Sequence, residues 1–355
     1  MTVAVAVSGG RDSLMALALL RGRERNLVAI HAQLADATSP EVLDGLRENC
    51  RVLDVPFQVL DLRSRFEELV IAPYVQSYLE GRTPNPCAWC NARIKFGLLL
   101  DAVHEQGAQT LATGHYARLT LTDQSPSLWK GADPTKDQSY FLALLNPDQL
   151  AQAAFPLADR RKQDVLPELD RLGLTPPLPG ESQEVCFITN DYREFLARRL
   201  QNGQLPDPPP PGPIVLEDGR SVGEHKGLWQ YTIGQRKGLD VAWSEPLYVL
   251  RKNMTANTLV VGERARLLSN ACRLESVNCL VPPTAWPQDL RLQTRYRQRP
   301  DPARLASSPE ARLSSNPDTL ALTYPEPREP AAPGQIGVIY SPEGQVLAGG
   351  VIQCA

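Results

Sequence analysis

The chain has 355 residues, with 37 Lys+Arg against 40 Asp+Glu, a formal net charge of −3, and 42% hydrophobic and 22% charged residues. This composition excludes a wholly disordered chain and a uniformly basic nucleic-acid binder, and the length allows two or three domains. No apolar run approaches the roughly 18–20 residues that cross a bilayer, and the start MTVAVAVSGG lacks a signal peptide's basic region and cleavage site, so a cytoplasmic protein with no membrane partner is expected.

In chain order, residues 3–7 are a short apolar run fit for a buried strand, and 13–23 a Leu/Ala-rich helix. Strands follow at 27–34, 57–61 and 110–113, with helices at 41–50 and from 92 or 94 to 106. Strand–helix alternation predicts an α/β fold with a parallel sheet and helices on both faces. Proline then punctuates the chain, 32 residues in all. PDPPPPGP at 206–213 offers few backbone donors and reads as a stiff, extended connector. Beyond it, YTIGQRKGL, LYVLRK, TLVVGE, RLQTRYRQR and GQIGVIY read as small β units, and the Pro/Ser-rich stretch 300–333 as long loops between strands. The expected division is 1–200, a connector 201–213, a central β-rich domain 214–264 and a C-terminal β-barrel 265–355.

Three groups of residues carry chemistry. Ser8-Gly9-Gly10-Arg11-Asp12-Ser13 joins the first strand to the first helix. Its glycines let backbone approach a ligand closely, and a helix N-terminus presents free N–H groups to an anion. The GxxxxGK[ST] spacing of a Walker loop is missing. Cys87 and Cys90 form a CxxC pair before a helix, with Cys90 at or near its N-terminus, where a thiolate is favoured. Cys186 lies nearly one hundred residues later. Arg291, Arg295, Arg297 and Arg299, with Tyr296 among them, would share one face of a strand and suit RNA phosphates and a stacked base. Arg160-Arg161-Lys162 and Gln235-Arg236-Lys237 are further basic candidates.

The loop resembles the SGGxDS loop of the ATP pyrophosphatases, which cleave ATP to AMP and pyrophosphate. TPNP, CN, IKF, ATGHYAR, KDQSYFL, VCFI, YTIGQRKGL, TRYRQ and PGQ then follow in the order found in tRNA-specific 2-thiouridylases. The resemblance spans almost the whole chain. It implies an N-terminal ATP-pyrophosphatase domain that adenylates O2 of the wobble uridine of tRNA, after which sulfur displaces AMP. ATP would lie against Ala6, Val7, Ser8, Gly9, Gly10, Arg11, Asp12 and Ser13, with Gln33 and Gly114 nearby and Mg2+ on its phosphates. Cys90 and Cys186 fall on the family's two working cysteines, the later one carrying a persulfide. Asn85 and Pro86 match target-base contacts, and His115, Lys136, Asp137, Gln138, Arg295, Tyr296 and Gln335 match tRNA-contacting positions.

Two departures stand out. Many members have Asp where this chain has Cys87, and a small apolar residue where it has Arg11. If the fold joins Cys87, Cys90 and Cys186, three thiolates could hold a [4Fe–4S] cluster with one iron open to sulfide. A persulfide–disulfide pair and a zinc or inert set are the alternatives. The sulfur donor, a relay protein or inorganic sulfide, is left open. Rival functions are another AMP-forming ligase on the same loop, which leaves the cysteines unexplained, and a non-catalytic RNA-binding protein, which leaves the intact loop unexplained.

Overall fold

A computed structural model describes the chain except residues 1, 25, 37, 123–124, 179, 181–184, 189–190, 203–209, 307–316 and 354–355. Strands β1 (Val3–Ala6), β2 (Leu27–Gln33), β3 (Phe57–Asp61), β4 (Thr110–Ala112) and β7 (Ala153–Ala154) form a parallel sheet in the order β3-β2-β1-β4-β7. Alternation along β1 explains why both faces are covered. Val3, Val5 and Val7 pack with Ala16 and Leu17 of α1 (Arg11–Arg21) and Leu46 and Cys50 of α2 (Pro40–Val52). Ala4 and Ile30 face Phe66, Val70 and Ile94 on the other side. The chain runs outward from β1 to β3 and returns at β4, so the topological switch falls between β1 and β4. Ligands of open α/β sheets bind at the carboxyl ends of strands flanking such a switch.

Two helical runs complete this layer. One, spanning 63–79, was not anticipated from the sequence. The other spans 86–105 and starts earlier than the expected 92–94, because Asn85 caps it and Pro86 occupies its first turn. Its Cys90–Leu99 part is wound in wide π turns, with a break at Gly97. A hairpin of β5 (Ala117–Thr122) and β6 (Ser125–Lys130) follows β4.

The central unit is a four-stranded sheet, β10-β11-β8-β9 (β8 Gly212–Val215, β9 Ser221–His225, β10 Tyr248–Asn253, β11 Thr258–Gly262). The proline connector thus ends in a strand, its residues 203–209 lying outside the described residues. Pro213 fits because β11 pairs only with Ile214 and Val215. The segment YTIGQRKGL is turn rather than strand.

The C-terminal unit is a closed barrel, β12-β15-β14-β13-β16-β17 (β12 Ser269–Cys279, β13 Leu290–Gln293, β14 Asp301–Leu305, β15 Thr319–Arg328, β16 Ile336–Tyr340, β17 Val346–Ile352). Two of its strands occupy the stretch expected to be loops. Pro325 falls where the β12–β15 register shifts, so it interrupts no regular ladder. Along β16, Ile339 points into the barrel, while Ile336, Val338 and Tyr340 join the core of the α/β unit. The barrel and the α/β unit therefore share buried apolar surface.

Candidate active site

The phosphate loop leaves the end of β1 at the switch point. Gly9 takes φ +88°, a conformation that disfavours a Cβ. Gly10 caps α1 with no side-chain hydrogen bond, so the first N–H groups of the helix are open to an anion. Ser13 is turned inward: its Oγ accepts from Ser8 N–H (3.0 Å) and donates to Gly10 O (2.9 Å). Asp12 accepts from Tyr116 OH (2.8 Å) and pairs with Lys162 Nζ, which also lies 5.5 Å from the Tyr116 ring. Burial and the Asp12 charge push the Tyr116 phenol upward. Lys162, expected as an RNA contact, instead belongs to the phosphate site, its side chain only 13% exposed.

Gly114 follows β4 and presses on this loop. A Cβ there would stand 2.7 Å from the Asp12 carbonyl carbon and the Ser13 nitrogen. Ala6 and Gln33 end β1 and β2 on the same edge, so the fold gathers every residue expected near ATP. These residues fit the triphosphate. Mg2+ needs one or two carboxylates plus phosphate oxygens, and Asp12 supplies one.

His115, next to Gly114, is buried. Its Nδ1 meets Thr113 Oγ1 at 2.7 Å, and burial, aided by the Lys95 charge, lowers its pKa well below the usual value, so the ring is neutral. The same Lys95 charge reaches Cys87, Cys90 and Cys186. Gly114 thus touches the phosphate loop, and the adjacent His115 lies within reach of the same Lys95 charge that acts on the three thiols. The sequence does not single out Lys95, although its charge reaches His115 and all three thiols. Five residues separate two side chains by roughly 140° on an α-helix, and only the wide π winding turns Lys95 toward the face of Cys90.

Cys90 does not gain from a helix N-terminus as expected. It is the fifth residue of the helical run and buried, and desolvation pushes its thiol up to about 12, against the opposing pull of Lys95. Cys87 is pushed up to about 11 for the same reason, and Cys186, exposed as a residue but with protein crowded around its thiol, is also raised. The three thiols sense one another's charge. Among the described residues, however, no three His, Cys, Asp or Glu side chains converge to hold a metal ion. Cys90 is locked in the core while Cys186 sits on an exposed turn. As arranged, the thiols form neither a three-thiolate cluster nor a Cys90–Cys186 disulfide, so either route requires the turn that carries Cys186 to move onto Cys90.

Asn85 is buried. Its Oδ1 accepts from Ala88 N–H (3.2 Å), and its side chain lies beside the Tyr140 hydroxyl. Tyr140 is within reach of the Arg295 charge, and Tyr296 packs on Phe141 with ring centres 4.4 Å apart. Asn85, Arg295 and Tyr296 are therefore neighbours. The one-sided arginine strand is not formed: β13 ends at Gln293, and Arg297 sits in a turn at φ +68°. The chain must turn there to pair β13 with β14. Gln138 and Asp137 face inward. Gln138 hydrogen-bonds the backbone of Tyr116 in both directions, and Asp137 accepts from Gly131 and Ser139. Lys136 is half-buried.

A parallel sheet whose switch point carries a glycine loop and an uncapped helix N-terminus defines a nucleotide-using α/β enzyme of the HUP class, and residues 1–190 match the family described as the tRNA methyl transferase HUP domain. Residues 193–263 match the tRNA methyl transferase PRC-barrel domain. The chain belongs to the tRNA-specific 2-thiouridylase family: it is 49% identical to tRNA-specific 2-thiouridylase MnmA of Nitratidesulfovibrio vulgaris (strain Miyazaki F), over 99% of each chain. The relative of that name in Lawsonia intracellularis is 47% identical over the same shares. Among solved structures, a U34-tRNA thiolase from Methanococcus maripaludis with its [4Fe-4S] cluster is 17% identical, with a TM-score of 0.33 over 57% of this chain and 65% of that one. That likeness is too loose to bear on the cysteines here.

Proposed function

We propose that this enzyme replaces O2 of the wobble uridine of tRNA by sulfur, consuming ATP and releasing AMP and pyrophosphate. The observation that carries this reading is Gly114 packed on the phosphate loop, with the adjacent His115 in the same Lys95 field as Cys90 and Cys186. Residues 1–200 act as the catalytic domain, 214–264 as the central domain and 265–355 as the barrel, with Arg295 and Tyr296 on the tRNA path.

The N–H groups of α1 and the Lys162 ammonium hold the phosphates, and Gly9 and Gly10 let them approach backbone. Mg2+ held by Asp12 would neutralise phosphate charge. Asn85 and Pro86 orient the base. The O2–phosphorus bond forms as the bond to pyrophosphate breaks, and the N3 proton leaves. The terminal sulfur of a Cys186 persulfide then attacks C2, and AMP departs with the C2–O bond pair. Cys90 thiolate attacks Cys186 Sγ, breaking its bond to the transferred sulfur. The electron pair goes to the base, N3 regains a proton, and a Cys90–Cys186 disulfide remains. An external thiol reductant reopens it. Lys95 steadies each sulfur anion against the desolvation that raises these thiols. The scheme calls for a sulfane-sulfur donor such as a relay protein, and a tRNA substrate supports work in the cytoplasm.

The test compares Cys87→Ser, Cys90→Ser and Cys186→Ser for thiolation with a persulfide donor, and measures iron after anaerobic reconstitution. Iron-free wild type should be active, Cys87→Ser should keep most activity, and the other two should lose it. Iron-dependent activity with sulfide, abolished by Cys87→Ser, would replace this scheme with the cluster route.

A further inference from the structure

The loop Thr83-Pro84-Asn85-Pro86 presents the base-orienting residue and leads into Cys90, yet it cannot brace itself. Two of its four residues are prolines without an N–H, so its carbonyls depend on donors from elsewhere. Those donors come from the barrel. Gln335 Nε2 donates to Thr83 O (3.0 Å) and Pro84 O (3.1 Å). Thr83 N–H donates in return to Pro333 O (2.7 Å). Between them Gly334, at φ +92°, lies so close that a Cβ would stand 3.0 Å from Thr83 N and Arg82 Cβ. One residue on, Ile336 O accepts from Tyr140 OH (2.8 Å). The central unit closes the other side, where Thr232 Oγ1 meets Thr83 Oγ1 at 3.4 Å.

We propose that Gln335, beyond its place among the tRNA-contacting positions, is a positioning residue for base recognition: its amide nitrogen clamps the Thr83–Pro84 backbone and thereby fixes where Asn85 and Cys90 face the uridine. This deepens, and rests on, the thiolation reading above. The barrel is then part of the catalytic framework as well as an RNA surface. Both N–H donors of the amide serve the loop, which leaves its oxygen to face tRNA.

The two roles predict different orderings. Gln335→Leu, Gln335→Glu and Gln335→Lys are compared in the full chain. Clamping requires donation to two carbonyls, so kcat should stay nearest wild type in Gln335→Lys, and fall by about ten- to a hundredfold in Gln335→Leu and at least as far in Gln335→Glu, on the scale of an ångström of misplacement. Amide hydrogen exchange at Thr83, measured without substrate, should speed up in the Leu and Glu variants and not in the Lys variant. An affinity order of Lys tightest and Glu weakest, with kcat and Thr83 exchange unchanged, would overturn the proposal in favour of a phosphate contact. Gln335→Lys keeps both bonds and guards against a Leu variant that does not fold. Exchange at Thr83 tests the clamp even if wild type fails to thiolate tRNA, in which case the thiolation reading falls alone.

Discussion

Adding one methyl group at Gly114 should disable the phosphate loop. The new Cβ of Gly114→Ala would lie 2.7 Å from the Asp12 carbonyl carbon and Ser13 N, and 2.8 Å from Asp12 O. Carbon contacts settle at about 3.5–4.0 Å, so roughly an ångström must be found. All three atoms are backbone in the first turn of α1, and α1 is pinned behind by buried Leu14, Met15 and Leu17. The strain cannot escape through a side-chain rotation. Overpacking of this kind costs about 1–3 kcal/mol, which at about 2–4 °C per kcal/mol for a domain of this size lowers the melting temperature by about 2–12 °C. An ångström of displacement under the phosphates should lower pyrophosphate release, with ATP and tRNA supplied, by about a hundredfold. Gly22→Ala is the control, since its nearest neighbour would be Leu19 O at an ordinary 3.6 Å. A Gly114→Ala protein that melts and releases pyrophosphate like wild type would refute the close-approach argument.

Removing the ammonium in Lys162→Met should raise the KM for ATP by about ten- to a hundredfold, the worth of a charge-assisted hydrogen bond, whereas an RNA-contact role would shift the Kd for tRNA instead. Cys90, pushed up from 9.0 to about 12, should alkylate about a thousandfold more slowly at pH 8 than an ordinary thiol, gain about tenfold per pH unit, and slow further in Lys95→Met; fast alkylation at neutral pH would contradict the burial argument. Because folding raises the Cys87 and Cys90 values, the stability they contribute is complete below about pH 9 and is lost as pH climbs through about 11 to 12, which alkaline melts of wild type and Cys87→Ser would reveal. Arg297→Gly should leave stability unchanged or raise it by about 1 kcal/mol, since its φ of +68° costs a side chain that much, and Arg295→Ala should lower the salt slope of tRNA binding by about 0.7–0.9.

The α/β unit was legible because its signals are local. An apolar run, two glycines and a Leu-rich helix specify the β1–loop–α1 unit whatever surrounds them, and strand alternation specifies the parallel sheet. The features that misled depend on distant partners or on a helix wound unlike an ordinary α-helix. The arginine stripe assumed that β13 continues, but pairing with β14 forces a turn at Arg297. The proline-rich stretch 300–333 looked like loop, yet closure of the barrel supplies partners to β14 and β15. Cys90 looks like a helix start only while Asn85 and Pro86 stand as motif residues; as cap and first turn they begin the helix four residues earlier. Lys95 stood in the IKF tag but five residues from Cys90, which reads as the wrong face until the helix is seen to widen. The roles of Gln138 and Gln335 as backbone braces follow only from tertiary contacts more than twenty and two hundred residues away, respectively.

The central claim is that one site joins ATP cleavage to sulfur transfer onto tRNA. The most direct measurement supplies purified enzyme with ATP, a persulfide donor, a thiol reductant and unmodified tRNA, then quantifies AMP, pyrophosphate and digested nucleosides by mass spectrometry. The account predicts 2-thiouridine at the wobble position in step with AMP and pyrophosphate, and none from Cys186→Ser. AMP and pyrophosphate released with no thiolated nucleoside, or thiolation that proceeds without ATP, would contradict it.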